Sequence, residues 1–174
     1  MKPLFLVGYM GAGKSTIGKE LSALYNIPHI DLDIEIEKSI GMSIMQYFDR
    51  FGEFKFRKLE HKILLECALI KDVIISTGGG TPCFLDNMSL MNMLGITIYL
   101  NRDVNYLYNV LRLDSCRPLI KGLKQEELLH YIINNLEVRD KYYSLSNIII
   151  KGIDFTGENI KNVIDNYIEE NHIL

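Results

Sequence analysis

Cysteine is scarce in this chain of 174 residues: Cys67, Cys83 and Cys116 are odd in number and show no C-x-x-C spacing. That pattern excludes a disulfide framework and a zinc site built on paired thiolates, and it points to a reducing cytosol. Positive charge is not in excess either. The formal net charge is −3 and the pI about 5.8, which excludes a basic nucleic-acid binder. Long hydrophobic runs are missing as well. The opening Met1–Val7 carries one basic residue and its apolar run stops at Gly8, too short for a signal-peptide core or a membrane span. No repeat of fixed period, charge block or low-complexity linker divides the chain, so residues 1–174 are expected to form one domain. Arginine is the remaining shortage: six, at positions 50, 57, 102, 112, 117 and 139, against 13 lysines.

What is present alternates strand and helix. Apolar residues at 48% and charged residues at 24% are ordinary globular usage. Residues 3–7 read as a buried strand, followed by a helix over 14–25 with apolar spacing at Ile17, Leu21 and Leu24. Further strands are expected at 28–31, 73–76, 96–100 and 148–151. Helices are expected at 33–51 (interrupted at Gly41), 53–71, 86–93, 103–111, 125–142 and 158–170. Five short apolar strands separated by helices predict an α/β fold, a parallel sheet flanked by helices. Right-handed crossovers then bring the loops after Val7, Asp31, Ser76 and Leu100 to one edge, where open α/β sheets bind ligands.

The loop after the first strand, Gly8-Tyr9-Met10-Gly11-Ala12-Gly13-Lys14-Ser15-Thr16, fits G-x-x-x-x-G-K-[ST]. Glycines let such a loop wrap so that successive amide N–H groups face phosphate oxygens, and the following helix adds its positive end. Lys14 supplies a mobile charge, and the Ser15 hydroxyl suits magnesium. The fit, with strand before and helix after, predicts a nucleoside-triphosphate site. No N-K-x-D guanine motif accompanies it, since Asn101-Arg102-Asp103 is not one, and no apolar strand ends in an Asp-Glu pair. A small kinase is the economical class.

Four more stretches carry candidate chemistry. Asp31 and Asp33 stand two apart at a strand end; one can hold a metal-bound water near Ser15 and the other can meet the accepting hydroxyl. Asp33 could instead cap the next helix. Arg57 and Glu60 are neighbours at helical spacing, so the carboxylate can orient the guanidinium, or form only a surface pair. Gly78-Gly79-Gly80 follows the third strand, and three consecutive glycines argue for close backbone approach to a ligand. Arg117 lies in a polar loop between helices that could close as a lid over the phosphates, and Arg139 sits near a helix end.

Taken together, Gly8–Thr16, Asp31-Leu32-Asp33, Gly52–Glu60, Thr77–Gly80, Arg117-Pro118-Leu119 and Arg139 with its following tyrosine resemble the shikimate kinase family in order and spacing. The resemblance implies a P-loop, nucleoside-monophosphate-kinase-like fold with strand order 2-3-1-4-5, a lid at about 112–124 and substrate-binding helices at about 33–60. It implies transfer of the γ-phosphate of ATP, with Mg²⁺, to the 3-hydroxyl of shikimate. Gly11, Ala12, Gly13, Lys14, Ser15 and Thr16 would bind ATP, and Ser15 would bind the metal with Asp31 assisting through water. Asp33 would hold the ring hydroxyls and orient or deprotonate the attacking one. Arg57, Gly79 and Arg139 would bind shikimate, Arg117 would meet the ATP phosphates, and Phe48 and Phe56 would wall the ring. Arg112 and residues 150–156 would face the adenine. Lys14, Asp33 and Arg117 would carry the rate. A cytoplasmic monomer with no nucleic-acid or membrane partner is expected. The alternatives are another small-metabolite kinase, of gluconate or nucleoside-monophosphate type, and an ATP-binding module without chemistry. Two arginines at the substrate positions favour an anionic substrate over a neutral sugar. The stretch 113–116 carries Asp114 where the family often has bases, and the tyrosine partnering Arg139 could be Tyr142 or Tyr143.

Overall fold

Leu4–Val7 forms β1, and all four of its side chains are fully buried at the centre of a five-stranded parallel sheet. The computed structural model describes residues 1–114, 120, 122–152 and 155–173. The strands run β2-β3-β1-β4-β5, with β2 at His29–Asp31, β3 at Ile74–Ser76, β4 at Ile96–Asn101 and β5 at Ile148–Lys151. This is the order the resemblance implied. A strand buried on both faces has no polar side to show, so Leu-Phe-Leu-Val reads as a continuous apolar run. Full burial of such side chains is worth about 1.5–3 kcal/mol each.

Register fixes where the loops leave the sheet. Leu6 pairs with Ser76 on one side and with Ile98 on the other, while Asp31 pairs with Ser76. The carboxyl ends of β1, β2 and β3 therefore lie nearly level, and the segments that follow them open onto one cleft.

The flanking helices are α1 (Lys14–Tyr25), α2 (Leu32–Ile40), α3 (Ile44–Phe51), α4 (Glu53–Ala68), α5 (Asn87–Leu94), α6 (Val104–Leu111), α7 (Gln125–Tyr143) and α8 (Gly157–Glu170). The break expected at Gly41 is real: Gly41 ends α2 in the left-handed region at φ 66°, and Ser43 starts α3 with a capping box to Gln46. A 3₁₀ turn at Thr81–Cys83, with Pro82 as its second residue, has no counterpart in the elements expected from the sequence. Helix α4 stops at Ala68, three residues short of the expected end. Of the three cysteines, Cys67 is buried and Cys83 half-buried, both with free thiols; Cys116 falls outside the described residues, as do Arg117 and the rest of 115–119 and 121 in the expected lid. Among the described residues no helix is long and apolar enough to cross a membrane.

Candidate active site

The loop between β1 and α1 is built to hold an anion. Gly13 caps α1 at φ 91°, ψ 17°, a conformation that costs an L-residue roughly 1–2 kcal/mol, and it offers no side-chain cap to the first N–H groups. No acidic residue stands in the first turn of α1. The amide hydrogens and the positive helix end therefore meet no carboxylate of the helix's own first turn. Lys14 Nζ donates to Gly8 O (2.8 Å) and Tyr9 O (2.9 Å), which folds its ammonium back across the loop. Met10, Gly11, Gly13, Lys14, Ser15 and Thr16 line one side of a cavity of about 480 Å³. Ala12 lies just beneath, with its side chain buried.

Asp31, Asp33, Thr77, Gly78 and Gly79 line the same cavity. The two carboxylates arrive there differently from the strand-end picture, because β2 ends at Asp31 and Leu32 already starts α2. Asp31 is the helix cap, its Oδ1 accepting from the Asp33 N–H (3.2 Å), while its Oδ2 accepts from the Ser15 hydroxyl (2.6 Å). Asp31 takes the capping duty that Asp33 could have taken, and Asp33 is left facing the cavity from the first turn. Its carboxyl is pushed up to about 6, by loss of solvation first, then by the negative charges of Asp31 and Glu60, with Lys14 opposing. The side chain keeps solvent contact through the cavity mouth. At neutral pH the group is ionised, and it takes up a proton within two units of neutrality.

On α4, Arg57 donates from Nη1 to the buried Glu60 (2.8 Å) and from Nε and Nη2 to Glu53 (3.3 Å each). Glu60 Oε1 in turn accepts from the Thr81 hydroxyl (2.6 Å). Phe84 lies 4.1 Å from the guanidinium, with Phe56 at 5.2 Å and Phe48 at 5.9 Å, and the Phe48 and Phe56 rings stack 4.5 Å apart. The pairing is thus no surface ion pair: only 13% of the Arg57 side chain and 2% of that of Glu60 are exposed. Replacing Glu60 with Ala should cost about 3 kcal/mol, the lower end for breaking a buried charged pair from one side since Glu53 remains. Thermal unfolding should show a drop in Tm on the order of 10 °C.

Arg139, on α7, lies over the Tyr9 ring (5.5 Å) and shares a side-chain hydrogen bond with Tyr143, whose hydroxyl donates to Gly79 O. Tyr143 is fully buried and Tyr142 is not, so Tyr143 is the partner of Arg139. The glycine triplet lies between these groups. A Cβ on Gly78 would come 2.9 Å from Asp33 Oδ1, one on Gly80 would come 2.7 Å from Arg57 Nη2, and one on Gly79 would come 3.3 Å from the Met10 nitrogen. The triplet thus packs closely on Asp33 and Arg57 at its two ends and on the Met10 backbone in its middle.

The family model for shikimate kinase matches residues 10–171. The chain belongs to the shikimate kinase family. It is 48% identical over 151 residues to a shikimate kinase of Parabacteroides distasonis, covering 85% of this chain and 86% of that one. It is 46% identical over 147 residues to one of Bacteroides fragilis, covering 84% and 82%. Among solved structures, shikimate kinase from Bacteroides thetaiotaomicron superposes with a TM-score of 0.88 at 38% identity, over 99% of both chains. The enzyme from Acinetobacter baumannii in complex with shikimate does so with a TM-score of 0.86 at 30% identity, over 100% of this chain and 96% of that one. The activity of the family, phosphoryl transfer from ATP to shikimate, is the activity of this chain.

Several neighbours of the site have no mark in the sequence. Phe84 covers Arg57, Tyr9 lies under Arg139, and Arg102 is buried between the rings of Tyr106 and Phe155. Except for Arg102 and Tyr106, four residues apart, these contacts join residues far apart in the chain, so no local spacing announces them. Arg112 is exposed, its Nε donating to Asn109 (3.2 Å).

Proposed function

We propose that ATP and shikimate meet in the cavity between Lys14 and Asp33, and that the 3-hydroxyl of shikimate is the group phosphorylated. In this reading Gly11, Ala12, Gly13, Lys14, Ser15 and Thr16 bind the triphosphate, Arg57 and Arg139 bind the shikimate carboxylate, and Gly79 lies against the ring. The observation that carries it is the sharing of one cavity by an amide-lined loop and a carboxylate poised near neutrality, with two arginines on either side of the glycine triplet. Ionised Asp33 accepts a hydrogen bond from the attacking hydroxyl and aligns it. As the new O–P bond forms and the bond to the ADP leaving group breaks, the hydroxyl proton passes to Asp33 or from there to solvent. Lys14, turning from Gly8 O and Tyr9 O, follows the charge on the transferring group. Arg117 is assigned to the same charge as a lid residue.

Ser15 Oγ is a hard oxygen beside the loop, hydrogen-bonded to Asp31 Oδ2 at 2.6 Å, and it suits Mg²⁺ as a ligand, with Asp31 assisting through a metal-bound water. Among the described residues there is no cluster of three His, Cys, Asp or Glu, and Mg²⁺ needs none, since it keeps several waters and phosphate oxygens. Bound there, the ion would neutralise charge between the β- and γ-phosphates. We further propose a single domain over 1–174, with a lid at about 112–124 and substrate-binding helices at about 33–60, acting as a cytosolic monomer without nucleic-acid or membrane partners.

A coupled assay of ADP release tests the assignment. Shikimate with Mg²⁺ should give turnover, and gluconate, AMP and buffer should not. Ser15→Ala should raise the Mg²⁺ concentration needed for half-maximal rate while full-length folding persists. No ADP release above buffer with shikimate sinks the substrate, and an unchanged Mg²⁺ requirement sinks the metal site.

A further inference from the structure

Asn87, the first residue of α5, is fully buried, and both ends of its side-chain amide are used. Its Nδ2 donates to Thr81 O at 2.8 Å, and its Oδ1 accepts from His61 Nδ1 at 2.6 Å. Its backbone N–H donates to Phe84 O at 3.3 Å. Asn87 thus grips the segment 81–84 at its two ends. A buried amide is costly unless its hydrogen bonds are met, and here each bond pins either that segment or a side chain of α4.

Thr81 is equally committed. It is fully buried, its N–H donates to Gly78 O at 3.2 Å, and its hydroxyl donates to Glu60 Oε1 at 2.6 Å. Gly78 lines the cavity, and a Cβ there would stand 2.9 Å from both the Thr81 hydroxyl and Asp33 Oδ1. The second oxygen of Glu60 accepts from Arg57 Nη1 at 2.8 Å, while Phe84 covers the guanidinium at 4.1 Å. One short segment therefore gives Arg57 its aromatic cover directly and its carboxylate partner through a hydroxyl. A carboxylate can turn about its last bond, and a hydrogen bond on each oxygen fixes its plane. That plane sets the fork of Arg57, whose Nη2 lies where a Cβ on Gly80 would come within 2.7 Å, next to the glycines of the cavity wall.

We propose that Thr81 and Asn87 are positioning residues for Arg57. Asn87 holds the turn, the Thr81 hydroxyl holds Glu60, and Glu60 holds the guanidinium against the glycine triplet. The inference rests on the reading of Arg57 as a ligand of the shikimate carboxylate. It goes beyond that reading by naming two buried residues that act only through Arg57.

Steady-state kinetics in both substrates test this on the full chain. Thr81→Val should raise KM for shikimate about tenfold, near the low end for a lost hydrogen bond to a charged group, and leave kcat and KM for ATP within about twofold. Thr81→Ser should restore the wild-type KM, because the hydroxyl and not the methyl is used. Asn87→Ala should give the same shikimate-selective rise. In an Arg57→Lys background Thr81→Val should add less than about twofold, since residues acting through one group are not additive. A folded Thr81→Val with unchanged KM for shikimate, an equal rise in KM for ATP, or an undiminished effect on top of Arg57→Lys overturns the inference while the role of Arg57 stands. Arg57→Lys with no effect on KM for shikimate removes the carboxylate reading of Arg57 and the inference with it. Should Thr81→Val not fold, Thr81→Ala read against Thr81→Ser decides.

Discussion

Asp33→Asn is expected to lower kcat by about 10²–10⁴, the range for losing a positioned acid–base group, while ADP still binds. The amide keeps the shape of the side chain and its place beside Gly78, so the loss isolates charge and proton acceptance. Measured by ADP release together with calorimetric ADP binding, a variant that loses nucleotide affinity instead would assign Asp33 to the phosphate side. The pH dependence follows from the carboxyl lying at about 6 in the folded chain. The ionised form is the working one, so kcat/KM for shikimate should fall as pH drops through about 6. Stability should run the opposite way. A carboxyl whose folded value lies above its unfolded value binds more protons in the native state between the two, so the fold loses stability as pH rises from about 4 to 6. Asp33→Asn should therefore raise Tm at pH 7 and lose that advantage near pH 4. A flat pH profile for the wild type between 5 and 7 would remove Asp33 from the chemistry.

The second large effect lies on the substrate carboxylate. Arg57→Lys and Arg139→Lys should each raise KM for shikimate by roughly 10- to 150-fold, the equivalent of about 1.5–3 kcal/mol for a charged hydrogen bond, with KM for ATP little moved. Charge is retained in both, so what is lost is the bidentate fork. The two positions should differ in stability. Arg57 is bound to Glu60 and Glu53 and stacked on Phe84, whereas Arg139 leans on Tyr9 and Tyr143. Arg57→Lys should thus lower Tm more than Arg139→Lys. Steady-state kinetics in both substrates decide the matter: a rise in KM for ATP equal to that for shikimate would place the arginines elsewhere.

The parts of this molecule that follow from local chemistry are legible in the sequence itself. A buried parallel strand must be apolar throughout, and a phosphate loop must alternate glycine with a lysine at its helix start; β1 and Gly8–Ser15 state both in consecutive residues. The helix break at Gly41 was equally readable, because the left-handed backbone there suits glycine. The Asp31–Asp33 pair was read correctly as facing the cleft but through the wrong geometry. Sequence spacing does not say whether the strand or the helix claims Leu32, and the competition between strand pairing and the Asp31 cap settles it. Least legible were contacts made by tertiary packing alone. Whether Tyr142 or Tyr143 turns inward depends on the rotation of α7 against the 3₁₀ turn, and the support of Arg57 by Phe84 depends on that turn existing.

The central place of β1 bears on how the chain is made. Its hydrogen-bonding partners, β3 and β4, both come later in the polypeptide, so a ribosome releases Leu-Phe-Leu-Val long before anything can pair with it. At about 5–20 residues per second, the wait for β4 is on the order of 5–20 s, during which a sticky segment depends on nascent helices or chaperones for cover. Slowing translation across residues 74–101 should lengthen that window and lower the yield of folded enzyme.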